Sequence, residues 1–520
     1  MPAIVTDQFR ILNANNFIES VKDPNNSYYV FLSLPNPEPS VTGFGRIDSW
    51  DSNVPNPIDN FDYENFYQSV MLFGKKINEF SIRRLIRRVD WVRSTRYEMY
   101  RNDYSIVNRS PITKSSRLYD ANYYVMNSDF RVYICIDNGS SGNNILGNES
   151  QDEPTFTDLE PSRAGSSNDG YVWKYLFTVS PSDIIKFDST EYISVPNDWD
   201  SSTDPQIVSI RENGDSDVNK NQIKKIYIEN SGFGYPSYNN QIFNIIGDGE
   251  GGTVSVDTDS SGRIVSARVS SGGSGYTYGM IDLRTSTSNA PSTFAKLIPI
   301  IPPSKGHGYD LYKELGTDKV LVYARFDDST KNFPIDTKFC QVGILKNPSI
   351  FNSTELYSSS EYSSLYSIKL KEPISGSLSV GSKIRQTVSD GIAISYVASF
   401  DEETKVIKYF KDRSLFFNPN PPYDQTDYVG LSTSGKVLNF ESSTNAITSP
   451  GGFSAAIDTE FTGITTTVNN KIVSLGTQYT NGLANPEINK ETGDIIYIDN
   501  RPLVNRNIRQ KEDIKIILEF

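Results

Sequence analysis

The sequence is almost without histidine: His307 is the only one in 520 residues. A histidine-rich zinc site is thereby excluded, and a His-based catalytic triad would have to use this residue. Cysteine is nearly as scarce. Cys135 and Cys340 stand far apart and form no C-x-x-C pair, which excludes zinc ribbons, iron–sulfur clusters and thioredoxin-type redox chemistry. One disulfide between them is conceivable; two reduced, buried thiols are the favoured expectation. No run comes near the roughly 18 apolar residues of a membrane helix. The best, Leu297 to Ile301, is short and contains a proline. The opening, Met1 to Asp7, has no basic region followed by an apolar one, so a soluble chain made in a cytosol, without membrane insertion, is expected. Positive charge is in deficit, with 50 Lys and Arg against 63 Asp and Glu, a net −13. That argues against a general nucleic-acid or anionic-membrane partner.

What is present points to β-structure. At roughly 100–200 residues per domain the length implies three to five domains. Aromatic residues make up 12% of the chain, too many for a disordered one. Short strand-like runs separated by Asn, Asp, Gly, Pro and Ser clusters predict strands at Tyr28–Leu34, Phe130–Asp137, Tyr171–Val179, Lys319–Phe326, Phe339–Leu345 and Asp494–Asp499. Two helices are predicted. Tyr63–Phe73 carries Phe66, Val70 and Phe73 on one face; Ser81–Val89 carries Ile82, Leu85, Ile86 and Val89, with Ser81 as its cap.

An internal repeat occupies residues 223–283. Ile223-Lys-Lys-Ile-Tyr-Ile-Glu-Asn-Ser-Gly-Phe-Gly-Tyr235 aligns with Ile264-Val-Ser-Ala-Arg-Val-Ser-Ser-Gly-Gly-Ser-Gly-Tyr276, so that Gly232 matches Gly273 and Gly234-Tyr235 matches Gly275-Tyr276. Each copy reads as a strand running into a glycine turn whose tyrosine packs back on the sheet. Two copies are too few for a solenoid, and a small pseudo-symmetric β-module is expected. A second β-rich block spans about 356–480, where Ser379–Val388, Gly391–Phe400 and Lys405–Phe410 read as a meander or small barrel, with a turn at Asp401–Thr404. Ser359–Ser364 and Ser442–Gly452 read as its flexible borders.

Site-like strings are better read as turns. Gly247-Asp-Gly-Glu-Gly-Gly252 fits G-x-G-x-x-G, but an alternating strand follows where a dinucleotide site needs a helix, and Asp248 and Glu250 would repel phosphate. Asp215–Asn221 and Asp257–Gly262 begin like calcium loops and lack the acidic twelfth position. His307, between glycines, reads as a loop or interface residue. No cofactor, metal or catalytic residue is assigned. The most informative charge is a run of twelve Lys and Arg against four acids between Lys75 and Arg117, a local +8. Nucleic-acid binding is one reading. Pairing with acidic surfaces of the same chain or of neighbours is the favoured one, because the rest of the chain is so acidic and Arg suits interface ion pairs. The candidate interface residues are Arg83, Arg84, Arg87, Arg88, Arg93, Arg96 and, near the C-terminus, Arg501.

A set of strings in fixed order adds a family resemblance. They are Ala3-Ile-Val-Thr-Asp-Gln-Phe-Arg10; Arg88-Val-Asp-Trp91 with Thr95-Arg96-Tyr97; Val132-Tyr-Ile-Cys135; Asp169-Gly-Tyr-Val-Trp-Lys-Tyr-Leu-Phe177 followed by Glu191-Tyr-Ile-Ser-Val-Pro196; Gly493-Asp-Ile-Ile-Tyr-Ile-Asp-Asn-Arg-Pro502; and Ile514-Lys-Ile-Ile-Leu-Glu-Phe520. In these the chain resembles the baseplate wedge protein of T4-like contractile-tailed bacteriophages, the gene product eight family. The resemblance covers about 1–210, thinly 317–350, and about 485–520.

It implies a mainly β, multidomain β-sandwich scaffold with few short helices and two inserted small β-modules. Residues 1–210 are an N-terminal scaffold region, 211–300 the repeat-bearing module, 301–355 scaffold strands, 356–480 the meander or barrel, and 481–520 C-terminal strands completing the scaffold. Insertions in surface loops cost little, since closure entropy grows slowly with length. The implied function is that of a non-enzymatic homodimeric subunit of the virion tail baseplate. It would join other wedge proteins during assembly in the host cytoplasm, and its inserts would be free to contact accessory or fibre proteins. Asp169–Phe177 is then a strand packed on both faces, and Arg501-Pro502 a strand-end turn. The alternative is a tail fibre or spike component whose aromatic residues bind, or whose acids depolymerise, host surface glycan.

Overall fold

The computed structural model describes residues 6–35, 46–47, 49–283, 291–327, 337–411, 438–505 and 511–520; Ala3–Val5 of the opening string lie outside them. The chain is mainly β and multidomain, with few helices, as the sequence predicts. It divides into two compact units. The first is Met1–Asn16, Arg83–Leu321 and Ile517–Phe520; the second is Phe17–Ile82 and Val322–Ile516. The expected inserts, 211–300 and 356–480, each fall within one unit. The expected regions 1–210, 301–355 and 481–520 are each shared between the two.

In the first unit, Tyr124–Met126, Arg131–Asn138 and Tyr171–Thr178 form an antiparallel sheet in that order. Tyr171, Trp173, Tyr175 and Phe177 are buried, and so are Lys174 and Leu176 on the opposite face, as expected of a strand packed on both sides. Tyr171 and Trp173 stack at 5.2 Å with planes 12° apart, and Tyr97 meets Trp173 edge-on at 5.9 Å. Each such pair contributes about 0.5–1.5 kcal/mol beyond area burial.

The predicted helix at Ser81–Val89 is instead a strand, Ile82–Arg87, paired with Tyr192–Val195 through Arg84↔Val195 and Arg87↔Tyr192. Both of its faces are covered: Arg84 is buried on one side and Leu85 on the other. Alternation therefore disappears, and the apolar residues fall by coincidence at helical spacing.

The repeat is realised in its strands, its turn glycines and its tyrosines. Lys225–Asn230 and Ile264–Ser274 are strands, pairing with Lys296–Ile300 and Glu250–Thr258 respectively. Gly232 and Gly273 have φ of 64° and 63°, and Gly234 and Gly275 have 87° and 75°. Only glycine adopts this left-handed turn without strain. The turns aim Tyr235 and Tyr276 into the interior, where the Tyr235 hydroxyl accepts from Ala295 N at 2.8 Å and the Tyr276 hydroxyl accepts from Gly252 N at 3.1 Å. Both copies contribute to one core, with Ile223, Ile226 and Ile228 from the first and Ile264, Ala267 and Tyr276 from the second.

In the second unit a five-stranded sheet runs Glu361–Ser363, Met71–Ile77, Tyr28–Ser33, Lys338–Lys346, Asp494–Asn505. Its central strand, Tyr28–Ser33, is buried along its whole length. The helix predicted over Tyr63–Phe73 spans Phe61–Ser69, capped by the Asn60 side chain. It stops at Ser69 because the chain then enters Met71–Ile77, where Phe73 pairs with Leu32. The strand partner overrides the helical spacing.

The 356–480 block contains a closed barrel in the order Val406–Phe410, Gly391–Asp401, Lys383–Val388, Ile447–Thr448, Ser454–Ile457, Tyr366–Ser375. Tyr366↔Tyr409 closes the ring, and Asp401 Oδ1 accepts from Glu403 N in the expected turn.

Two further expectations are corrected. The serine-rich borders are built structure: Glu361–Ser363 pairs with Met71–Ile77 over a fully buried Tyr362, and Ile447–Thr448 is a barrel strand. Arg501-Pro502 is no strand-end turn. Asn500 pairs with Gln341 and Val504 with Phe339, so residues 501–503 bulge within one strand. A bulge accommodates a proline that has no N–H to give the ladder.

Candidate assembly surface

The arginines of the basic run separate into distinct roles. Arg84 is 1% exposed. Its guanidinium lies 3.9 Å from the centre of the Tyr312 ring and donates to Asn197 O at 3.2 Å and to Asn15 Oδ1. It is a core anchor and is withdrawn from the candidate surface. Arg83 meets Asp183 at 3.1 Å and lies over Phe187. Arg87 donates to Ala121 O and to Asn122 Oδ1, at 3.0 and 2.8 Å. Arg88 grips both oxygens of Asp90 at 3.0 Å and reaches Ser189 O. These three tie the strand to the loops around it and keep part of their surface in solvent. Arg93 is exposed, and Arg96, about half exposed, pairs with Glu149 at 3.5 Å. Arg501 belongs to the second unit, where it pairs with Asp499 at 2.7 Å.

A groove of about 370 Å³ opens beside Arg87 and Arg88. Its walls add Arg117 and Lys319, and set Asp120, Glu191 and Asp318 against them. Arg117 bridges Asp7 at 2.6 Å and Asp318 at 3.8 Å. Four cations facing three carboxylates suit the mixed charge of a protein surface better than a polyanion. Arg87, Arg88 and Arg117 were legible in the basic run. Asp318 and Lys319 come from two hundred residues downstream, and no local signal marks them.

A second feature was missed. The segment 101–109 is a turn tied by its own hydrogen bonds. Arg101, 1% exposed, lies 3.8 Å from the Tyr227 ring and holds Asp103 through two hydrogen bonds. Asn108 Nδ2 returns to Asp103 Oδ2 at 2.5 Å, and its backbone N–H donates to Ser105. At the tip, Ile106 and Val107 are 79% and 95% exposed. Two β-branched aliphatic side chains held in water by a preorganised loop are suited to a partner's apolar recess, since little ordering entropy remains to be lost on contact.

The charged groups that resemble catalytic machinery are enclosed. His307 lies in a loop, as expected, and is buried there. Its Nδ1 lies 2.5 Å from Glu314 Oε1, Glu314 Oε2 accepts from Gly308 N, and Tyr100 stands edge-on at 4.8 Å. The adjoining cavity is about 10 Å³, room for one water at most. The pair closes the loop around Gly306-His307-Gly308 over the end of helix Pro205–Gly214, where a side chain on Gly214 would strike His307 O.

Nearby, Lys174 Nζ donates to Leu159 O and Asn213 Oδ1, and burial pushes its ammonium down to about 8 against the opposing pull of Glu314 and Glu160. Burial likewise raises both cysteine thiols, Cys340 to about 12; both are free, as expected. Asp248 sits in a two-residue hairpin and accepts from Thr277 and Tyr278, which lowers its carboxyl to about 2. Asp259 accepts from Ser261 N and Arg263 N in an ordinary side-chain turn. Among the described residues, no group of three or more His, Cys, Asp or Glu stands where it would hold a metal ion.

Compared with known proteins, the chain matches no family model and no curated protein.

Proposed function

We propose that the chain is a structural subunit of a contractile-tail baseplate wedge. In this reading it is a homodimer in the virion that joins neighbouring wedge proteins during assembly in the host cytoplasm. The observation that carries the reading is where the resemblance strings fall. Val89, Tyr97, Val132–Cys135, Tyr171, Trp173, Tyr175–Phe177, Ile193 and Val195 come from three of the six strings and share one buried core, with Trp91 packed against it. Strings that resemble one family and meet in one core are what a common scaffold produces. The mixed-charge groove and the exposed Ile106-Val107 tip supply contact surface, and the two β-modules supply further faces for accessory or fibre proteins.

The fibre or spike alternative draws less support from the repeat tyrosines, since Tyr235 and Tyr276 are buried and hydrogen-bonded, and rests on Phe233 and Tyr278, which are exposed. Light scattering after size exclusion tests the choice. A particle of about twice 58.2 kDa is the expected result, and a trimer would transfer the proposal to the spike.

A further inference from the structure

We infer that the free edge of strand Asp494–Asn505, between Ile495 and Ile498, is a docking groove that takes an extended basic and apolar segment of another protein as an added strand. The inference does not depend on the baseplate reading. The strand is the last of its five-stranded sheet and pairs on one side only, with Lys338–Lys346. Among the described residues, no bridge and no backbone hydrogen bond reaches the other side of 495–498. Exposed strand edges of this kind are templates for pairing unless covered, charged or bulged.

The strand bulges twice, at Ile496, where the register with Lys338–Lys346 shifts between Tyr497 and Ile495, and at 501–503; its C-terminal half is in addition covered and charged. The segment 50–55 runs alongside it: Trp50 Nε1 donates to Arg501 O, Leu503 N to Asp51 Oδ1, and Asn500 Nδ2 to Pro55 O. Arg501 and Pro502 lie in the second bulge. Further along, the segment parts from the strand. Ile58 N turns to the Tyr67 hydroxyl at 2.9 Å, and a groove of about 400 Å³ opens between Pro57–Asn60, helix residues Glu64 and Tyr67, and Ile495–Ile498.

The groove also indicates its occupant. Ile495 and Ile498 pack on the Phe66–Tyr67–Val70 cluster, whereas Ile58 and Ile496 are each 45% exposed. Side chains of an added strand lying over Ile58 and Ile496 would therefore find aliphatic contact. The charged side chains in its wall are Asp59 and Glu64, with no Lys or Arg among the lining residues. Strand addition takes its affinity from main-chain hydrogen bonds and its selectivity from alternate side chains. Two carboxylates without an ion-pair partner among the described residues select a Lys- or Arg-bearing segment over an acidic one.

The test is hydrogen exchange of the full chain with a capped synthetic heptapeptide alternating Lys and Val. The expected result is slowing of the 495–498 amides by several-fold, abolished when alternate peptide amides are N-methylated and abolished by Ile496→Asp. The double variant Asp59→Lys with Glu64→Lys should transfer the preference to the matching Glu–Val peptide. This positive readout stands even if Ile496→Asp fails to fold. Absence of slowing with the Lys–Val peptide overturns the inference, as does slowing that survives N-methylation. So does self-association of the peptide-free chain that Ile496→Asp dissolves, because the groove would then hold a second copy.

Discussion

Replacing Arg84 by alanine decides whether the basic run is partly core. The guanidinium is fully buried, 3.9 Å from the Tyr312 ring centre, with hydrogen bonds to Asn197 and Asn15. A desolvated cation–π contact contributes about 2 kcal/mol. Each hydrogen bond to a charged group contributes about 1.5–3 kcal/mol. The alanine variant gains back the desolvation cost of the buried charge but leaves the acceptors of Asn15 and Asn197 without their donor. The expected net loss is about 3–5 kcal/mol, a fall in melting midpoint of roughly 10 °C for a unit of this size. Arg84→Lys should lose about half as much, since an ammonium keeps the charge but neither the planar stack nor the fork.

The assay is urea unfolding combined with hydrogen exchange at Trp199, whose backbone N–H donates to the Tyr312 hydroxyl at 2.9 Å and reports on the ring under Arg84. A loss below about 1 kcal/mol, with Trp199 protection unchanged and assembly abolished, would refute the core assignment and return Arg84 to the interface.

Three other outcomes are expected. The ammonium of Lys174 is held near 8 in the folded state against 10.5 for an ordinary lysine. Between those values the unfolded chain carries a proton that the folded chain has released, so stability rises with pH across the window. Lys174→Met should remove up to about 1.4 kcal/mol per pH unit of that rise, read as the difference from the native chain between pH 8 and 10; parallel curves would contradict it. Tyr276→Phe leaves Gly252 N and Ile245 O without their shared partner and should cost about 1–3 kcal/mol with faster exchange at Gly252. Tyr235→Phe frees only Ala295 N and should cost less. Changing both Ile106 and Val107 to Ser should leave stability within about 0.5 kcal/mol while weakening incorporation into tails in a complementation assay; undiminished incorporation would remove the tip from the contact surface.

Local chemistry was legible wherever it was self-sufficient. The 41-residue offset of the repeat (264 − 223) survives as matching left-handed glycines and matching interior tyrosines, because turn geometry is written in the residues that make it. Strands such as Lys319–Phe326 were found at their bounds for the same reason. Long-range partners were not legible. Ile82–Arg87 passed for a helix because nothing near it announces that Tyr312, Asn15 and Asn197 will satisfy an inward Arg84. The helix Asp7–Lys22 was missed although Ile11, Ala14, Ile18 and Val21 are buried at helical spacing; Asn13, Asn15 and Asn16 dilute the pattern with weak helix formers. The serine borders were misjudged because composition does not reveal that Tyr362, within the first of them, will be wholly buried. The surfaces now singled out, the 370 Å³ groove and the edge at Ile495–Ile498, depend on residues that only the fold brings together.

The central claim is location in an assembled tail. Gold-labelled antibodies against the purified chain, applied to intact contractile-tailed particles from its source and viewed by electron microscopy, test it most directly. Label confined to the baseplate is the predicted result. Label along fibres or at spike tips, or particles that carry none, would contradict it.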